Sequence, residues 1–350
     1  DLHLSIRRQR QMCIRDRDNM KKILTIILCS ALVMISGCDK YDFDQEQFRK
    51  EVNLLSNSNL VYDRQVAELQ QGGDTLFVVA SLSGSQATDE PVTVVLQHSD
   101  TLLRAYNKSN FDINKARFAK YLPEECYEFP TMEMNISAGS SKAMFPVYLK
   151  NLEKISPDSI YFLEYKIDSL RTPDCNPKKR HVLLRIHKEN YYASTQTATY
   201  YNYTSSTVII PNPDGYSEVR RPTNSNRVFP ISENSVRLMA GDENFTDYTT
   251  ALDIINKGSI ILEMGAQLPE NPLAKELTIL PYQSIDVVQL TPIGEYDNTY
   301  LLNVIRTPDG RSTYYKEFRL HYKYRLKSTD LYREVNAKLR YQFNPRVENL

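Results

Sequence analysis

Apolar and polar residues alternate in short runs along most of this chain, and turn residues break the runs. In the first half they fall at 52–55, 60–62, 75–82, 92–96, 132–136, 144–149, 160–167 and 182–186. Strands at short, regular spacing predict an antiparallel β-sandwich. One stretch departs from this period. Ile113, Ala116, Phe118 and Tyr121 recur at helical spacing among Lys and Arg, which predicts a short surface helix over 113–121. In the second half the runs lie at 197–203, 208–210, 259–264, 277–280, 285–290 and 300–305, and two long ones follow at 314–324 and 334–343. Alternation of apolar and charged residues in the last two predicts strands with one buried and one wet face. The turn clusters Asn212-Pro213-Asp214-Gly215 and Thr307-Pro308-Asp309-Gly310 sit between strands, and the second predicts a hairpin. The class is all-β, with a sandwich over 47–190 and an antiparallel barrel or sandwich over 191–350.

The longest predominantly apolar stretch lies elsewhere. Met20-Lys21-Lys22 opens a stretch that is apolar from Ile23 to Ile35 and closes on Ser36-Gly37-Cys38. A basic start and a run too short for a comfortable bilayer span make 20–37 a secretory signal. Its ending resembles the lipobox of bacterial lipoproteins, which implies cleavage before Cys38 and acylation of its sulfur. Residues 7–17, RRQRQMCIRDR, match the translation of a tagmentation sequencing adapter. Residues 1–19 are therefore read as adapter-derived sequence and untranslated leader, with Met20 as the start. Residues 38–46 form an acidic tether that resembles the export signal of Bacteroidota surface lipoproteins. The expected location is the outer membrane, lipid-anchored and facing the cell exterior.

Over the whole chain 43 Lys and Arg balance 43 Asp and Glu. Seven of the former and three of the latter precede Cys38, so the remainder is slightly acidic and gives no reason to expect nucleic acid. There are 24 Tyr, 12 Phe and no Trp, a composition that favours strands. Of five cysteines, Cys13 lies in the adapter-derived segment, Cys29 in the signal and Cys38 at the lipid site. Cys126 and Cys175 remain, both in loop-like sequence. An oxidising compartment allows a disulfide between them, and sequence does not give their separation.

Three stretches in the first half carry a further resemblance: Leu102-Leu103-Arg104-Ala105-Tyr106-Asn107 with Tyr121-Leu122-Pro123 and Tyr127, then 134–141, then Tyr161-Phe162-Leu163. They resemble the N-terminal domain of unknown function of many Bacteroidota surface lipoproteins. That implies an immunoglobulin-like sandwich near the anchor and implies no activity. The second half resembles the C-terminal β domain that accompanies it, through domain order and the closing strand pair.

Candidate chemistry is sparse. Tyr200, Tyr201 and Tyr203, with the pairs at 191–192 and 314–315, could stack on sugar rings; a tyrosine on a strand is also an ordinary packing residue. The acidic loop 241–247 lacks EF-hand spacing and reads as a solvated turn. His181 and His187 are six residues apart, too far to share a metal, so neither metal nor cofactor is expected. No G-x-S-x-G, C-x-x-C or glycine-rich phosphate loop occurs, and the chain reads as non-catalytic. Asp followed by Ser or Thr and an aliphatic residue places Thr75, Thr101, Ser159 and Ser169 in a pattern that resembles the O-glycosylation acceptor of exported Bacteroidota proteins. Together these features predict a surface lipoprotein that binds polysaccharide or oligosaccharide for an uptake system, beside an outer-membrane transporter or other surface proteins. The alternative is an adhesin or fimbria-like subunit that contacts other proteins.

Overall fold

The structure is a computed structural model and describes residues 46, 48–222, 224–244, 251–306 and 308–345. The signal, Cys38, most of the tether and the adapter-derived segment lie outside the described residues. Those described fall into two units, a small one of Glu46, 48–49 and 84–86 and a large one of 50–83 and 87–345. In the small unit the Glu46 carboxylate accepts the N–H groups of Ser85 and Phe48, which pull its pKa down to about 2.

The large unit is all-β. Its first half runs β1 (Val52–Leu54), β2 (Val61–Tyr62), β3 (Ala67–Glu68), β4 (Asp74–Leu82), β5 (Val92–His98), α1 (Leu102–Phe111), β6 (Lys120–Tyr121), β7 (Tyr127–Glu128), β8 (Glu133–Ile136), β9 (Lys142–Leu149), β10 (Tyr161–Ile167) and β11 (His181–Ile186). One sheet has the order β1-β4-β9-β7, and the other β2-β11-β10-β5-β8 with β6 beside β10. Alternate residues from both sheets meet in one core: Leu76, Val78 and Phe145 from the first, Val94, Leu163, Tyr165 and Leu184 from the second. This is the predicted sandwich. The turn at 137–141 carries the chain between sheets, since β8 pairs with β5 and β9 with β4.

The predicted helix is displaced. The chain turns helical at 102–111, and 113–121 holds only a 3-10 turn at Lys115–Arg117 and the two-residue β6. Tertiary contact explains the shift. Helix α1 lies on the outer face of the second sheet, where Leu103 packs with Phe162, Leu183 and Val61. No side chain of its own caps it. Instead Glu164, 3% exposed on β10, accepts the N–H groups of Thr101 and Leu102 at 2.9 Å and of Leu103 at 3.1 Å. A carboxylate at a helix N-terminus satisfies orphan donors and complements the helix dipole. Burial opposes ionisation of Glu164, but these N–H donors and the Tyr121 hydroxyl outweigh it and hold its pKa low. The following segment is tied down by Asn107, whose amide exchanges hydrogen bonds with the Ala119 backbone at 2.9 and 2.8 Å.

Strands β12 (Lys188–Asn190) and β13 (Ala193–Ser194) form a small sheet with β3 and lead into the second half. There follow β14 (Thr199–Tyr203), β15 (Thr207–Pro211), β16 (Ser217–Arg220), β17 (Ser225–Ser232), β18 (Ser235–Met239), α2 (Ala251–Gly258), β19 (Ser259–Leu268), β20 (Asn271–Pro281), β21 (Asp286–Gln289), β22 (Thr299–Arg306), β23 (Ser312–Arg325) and β24 (Arg333–Phe343). The pairings run β24-β14-β17-β18-β19-β20-β22-β23 and return from β23 to β24, so eight antiparallel strands close a barrel. Closure removes the sheet edges. Strands β15 and β16 extend from β24, and β21 from β23. The hairpin expected at 307–310 joins β22 to β23, with Arg306 opposite Ser312. Sequence periodicity did not mark β17 and β18. Pro230 interrupts the first beside a register shift, and Arg237 sits in the apolar run of the second.

Candidate functional site

The tyrosines expected to offer a sugar-binding face do not share one. On β14 the side chains alternate. Tyr201 points inward, fully buried, and its ring stacks on Phe318 at 4.8 Å. Its hydroxyl donates to the Tyr192 carbonyl at 3.0 Å. Tyr200 lies on the opposite face and is about half exposed. Tyr203 is partly buried, lines an open recess with Ser205, Ser206 and Arg221, and donates to the Gly241 carbonyl. Burial raises its pKa to about 12. The acidic turn is also engaged within the fold. Glu243 accepts hydrogen bonds from Tyr324 and Arg333, and the Gly241 N–H donates to Tyr322 at 2.8 Å. Gly241 has φ +52°, and a Cβ there would come within 2.8 Å of the Tyr324 hydroxyl. Residues 245–247 of this loop lie outside the described residues.

Cys126 is buried in the sandwich core with Sγ 3.7 Å from the Asn151 carbonyl, and Cys175 packs at the edge of that core; both are free thiols. Thr75 is half-buried on β4, opposite Tyr148. Thr101 precedes α1 and Ser169 is exposed in the turn after β10. Ser159 lies within reach of the Lys120 ammonium at 3.4 Å. Among the described residues no cluster of His, Cys, Asp or Glu could hold a metal.

The concavity that gathers the most chemistry lies where the sandwich meets the barrel. It is a cleft of about 330 Å³. The sandwich side supplies Phe111, Phe118, Tyr161 and the loop 155–160, then Arg185 and His187 at the end of β11. The barrel side supplies Arg227 and Phe229 of β17, with Leu252 and Ile255 of α2. Its two walls are held by one ion pair. Arg237, 2% exposed, forms a bidentate contact with Asp158 at 2.5 and 2.7 Å. The guanidinium also lies 4.5 Å from the Phe229 ring centre and 5.1 Å from that of Tyr282. Planar guanidinium, paired carboxylate and flanking rings together compensate much of the desolvation of two buried charges. Lys188 crosses beneath, buried, and donates to the Leu152 and Ile155 carbonyls at 3.1 and 2.9 Å. Burial pushes its pKa down to about 8.

Electrostatically the cleft is lopsided. Asp158 is the one carboxylate among its lining residues, and Arg237 occupies both its oxygens. Burial, reinforced by the charge of Arg185, lowers His187 to about 4, so it is neutral at pH 7. Positive charge comes from Arg185, Arg227 and Arg117, and from Lys188, which is mostly protonated at pH 7. The Arg227 and Arg237 guanidinium groups each lie 4.5 Å from the centre of the Phe229 ring. The sequence reading passed over this site. In the sequence Asp158 stands out only as the acid before Ser159-Ile160. The available signal was Arg237 inside Ser235-Val236-Arg237-Leu238-Met239, because a charge in an apolar strand needs a counter-ion. Its partner lies 79 residues away, in the other half of the fold.

A family model of an N-terminal domain matches residues 48–174, and one of a C-terminal domain matches residues 180–340. The chain shows the two-domain architecture those models describe. A protein of unknown function from Bacteroides ovatus is 16% identical, with a TM-score of 0.60 over 86% of this chain and 94% of its own. A multidomain protein including DUF1735, also from Bacteroides ovatus, is 15% identical with a TM-score of 0.58, over 83% of this chain and 94% of that one. An auxiliary nutrient binding protein from Bacteroides thetaiotaomicron is 15% identical with a TM-score of 0.58, over 82% and 94%. These likenesses concern the fold. No curated protein matches the chain.

Proposed function

We propose that this chain is a non-catalytic binding protein, anchored by lipid on Cys38 to the outer face of the outer membrane, that captures glycan for an uptake system. The cleft between sandwich and barrel carries the reading. Aromatic rings at Phe111, Phe118, Tyr161 and Phe229 lie beside arginines and a bound carboxylate. Rings of this kind pack on the apolar faces of sugars, while polar groups fix orientation. The signal and Cys at 20–38 support the location. The nutrient-binding protein that shares the fold supports the class of role.

The test is binding of the purified chain from residue 39 onward to a broad array of polysaccharides. Saturable binding to at least one of them, lost in Phe229→Ala, is expected. No binding to any would overturn the capture role. Location is tested by fractionation: the Cys38→Ala chain should leave the membrane, and the native one should be cut by protease added to intact cells.

One observation favours the adhesin alternative. Among the described residues β16 pairs only with β15, every residue of β16 is exposed, and Tyr216 and Val219 stand largely in solvent. An open edge of this kind can accept a strand from another protein. A partner crosslinked through Val219 in cells, with no glycan bound, would decide for it.

A further inference from the structure

The charge in the cleft narrows the ligand. Arg185 comes from the last sandwich strand and Arg227 from the barrel, and both line the same concavity. Each is partly buried, and among the described residues neither has an ion-pair partner. Arg117 adds a third cation on the sandwich rim. Like charges converging on a concave, partly desolvated surface repel one another, and an anion placed between them relieves that repulsion. The one acid of the lining cannot supply this relief, because Arg237 already holds it. Guanidinium groups match carboxylate and sulfate oxygens with paired N–H donors.

Resting on the capture reading, we propose that the cleft binds an anionic oligosaccharide, with its carboxylate or sulfate held between Arg185 and Arg227. The ligand thereby touches both domains. Lys188 takes no part, since its ammonium is turned to two carbonyls. His187, with its pKa lowered to about 4, contributes little charge above about pH 5. Affinity should therefore stay level between pH 5 and 7, which a histidine-dependent anion site would not do; above that range Lys188, whose pKa burial lowers to about 8, begins to lose its charge.

The experiment is calorimetric titration of the chain from residue 39 onward with four probes: an oligogalacturonide, a sulfated galactan oligosaccharide, its unsulfated counterpart, and inositol hexaphosphate as an anion without glycosidic sugar. At least one charged oligosaccharide should bind. Its affinity should fall ten-fold or more in Arg185→Gln/Arg227→Gln, fall with added salt, and stay level from pH 5 to 7. The first two probes separate carboxylate from sulfate recognition. Arg227→Lys, which keeps the charge and loses the fork, should fall between wild type and the double variant, and an unchanged melting temperature in both variants controls for folding. Equal affinity in wild type and double variant overturns the proposal. Binding of neutral sugars alone overturns it while leaving glycan capture standing. Binding of inositol hexaphosphate alone overturns the glycan reading and leaves an anion site. No binding at all overturns both.

Discussion

The sandwich fills its interior mostly with aliphatic side chains, whereas the barrel sets five tyrosines, Tyr192, Tyr201, Tyr300, Tyr322 and Tyr324, among its aliphatic residues. The difference lies in what happens to the hydroxyls. A buried hydroxyl without a partner is costly, so tyrosine belongs where a polar group waits at the end of the ring. The barrel supplies such groups at its ends. Tyr322 accepts from the Gly241 N–H, Tyr324 donates to Glu243, and Tyr192 receives the Lys275 ammonium at 3.1 Å. In the sandwich, Tyr165 is fully buried and its hydroxyl meets no partner among the described residues. The tyrosine-rich composition thus records how a closed barrel is packed, and the exposed ligand platform read from it is absent at Tyr201.

The contrast can be broken most severely at the joint between the two regions. Asp158→Ala leaves Arg237 buried without its carboxylate, and about 3–5 kcal/mol of stability should be lost. In urea, sandwich and barrel should then unfold in two steps, which separate fluorescent labels on each would resolve. An unchanged single transition would show that the pair does not couple them.

A smaller effect sits beside that joint. His187 has its pKa lowered to about 4 by burial first and the charge of Arg185 second. Between about pH 6.5 and 4 the unfolded chain holds a proton that the folded one does not. Stability should therefore be fully present above pH 6.5 and fall by about 3 kcal/mol as the pH drops to 4. Denaturation series at several pH values would measure this, and His187→Asn should flatten the slope. An equal slope in the variant would assign the acid sensitivity to other groups.

The finest comparison uses single oxygen atoms. Tyr201→Phe removes a satisfied hydroxyl from the barrel and should cost about 1 kcal/mol, whereas Tyr165→Phe removes an unpartnered one from the sandwich and should be neutral or slightly stabilising. Paired melting curves would show it. Equal losses would mean that the two cores treat tyrosine alike.

Particular residues show how far the sequence reached. Alternation in 314–324 and 334–343 was enough to foresee β23 and β24, but not the expected wet face, because Glu317, His321 and Lys338 are buried in partnerships with distant residues. The hairpin before β23 was legible in Asp309-Gly310, since that turn needs a residue tolerant of positive φ, and Gly310 has φ +83°. Helix α1 was placed too late in the chain, because the carboxylate that caps it stands on β10, 61 residues from Leu103. The same limit hid the cleft. Asp158 and Arg237, and Arg185 and Arg227, belong to different halves, and nothing local to either marks the other.

By itself the sequence determined the all-β class, the order of the two domains, most strands and several turns, because periodicity and turn chemistry act over a few neighbouring residues. Tertiary structure alone decided that the second domain closes into a barrel, that five of its tyrosines turn inward, and that arginines from both domains line one cleft. Closure and convergence depend on which distant strands pair, and that choice is made by the burial of whole faces at once.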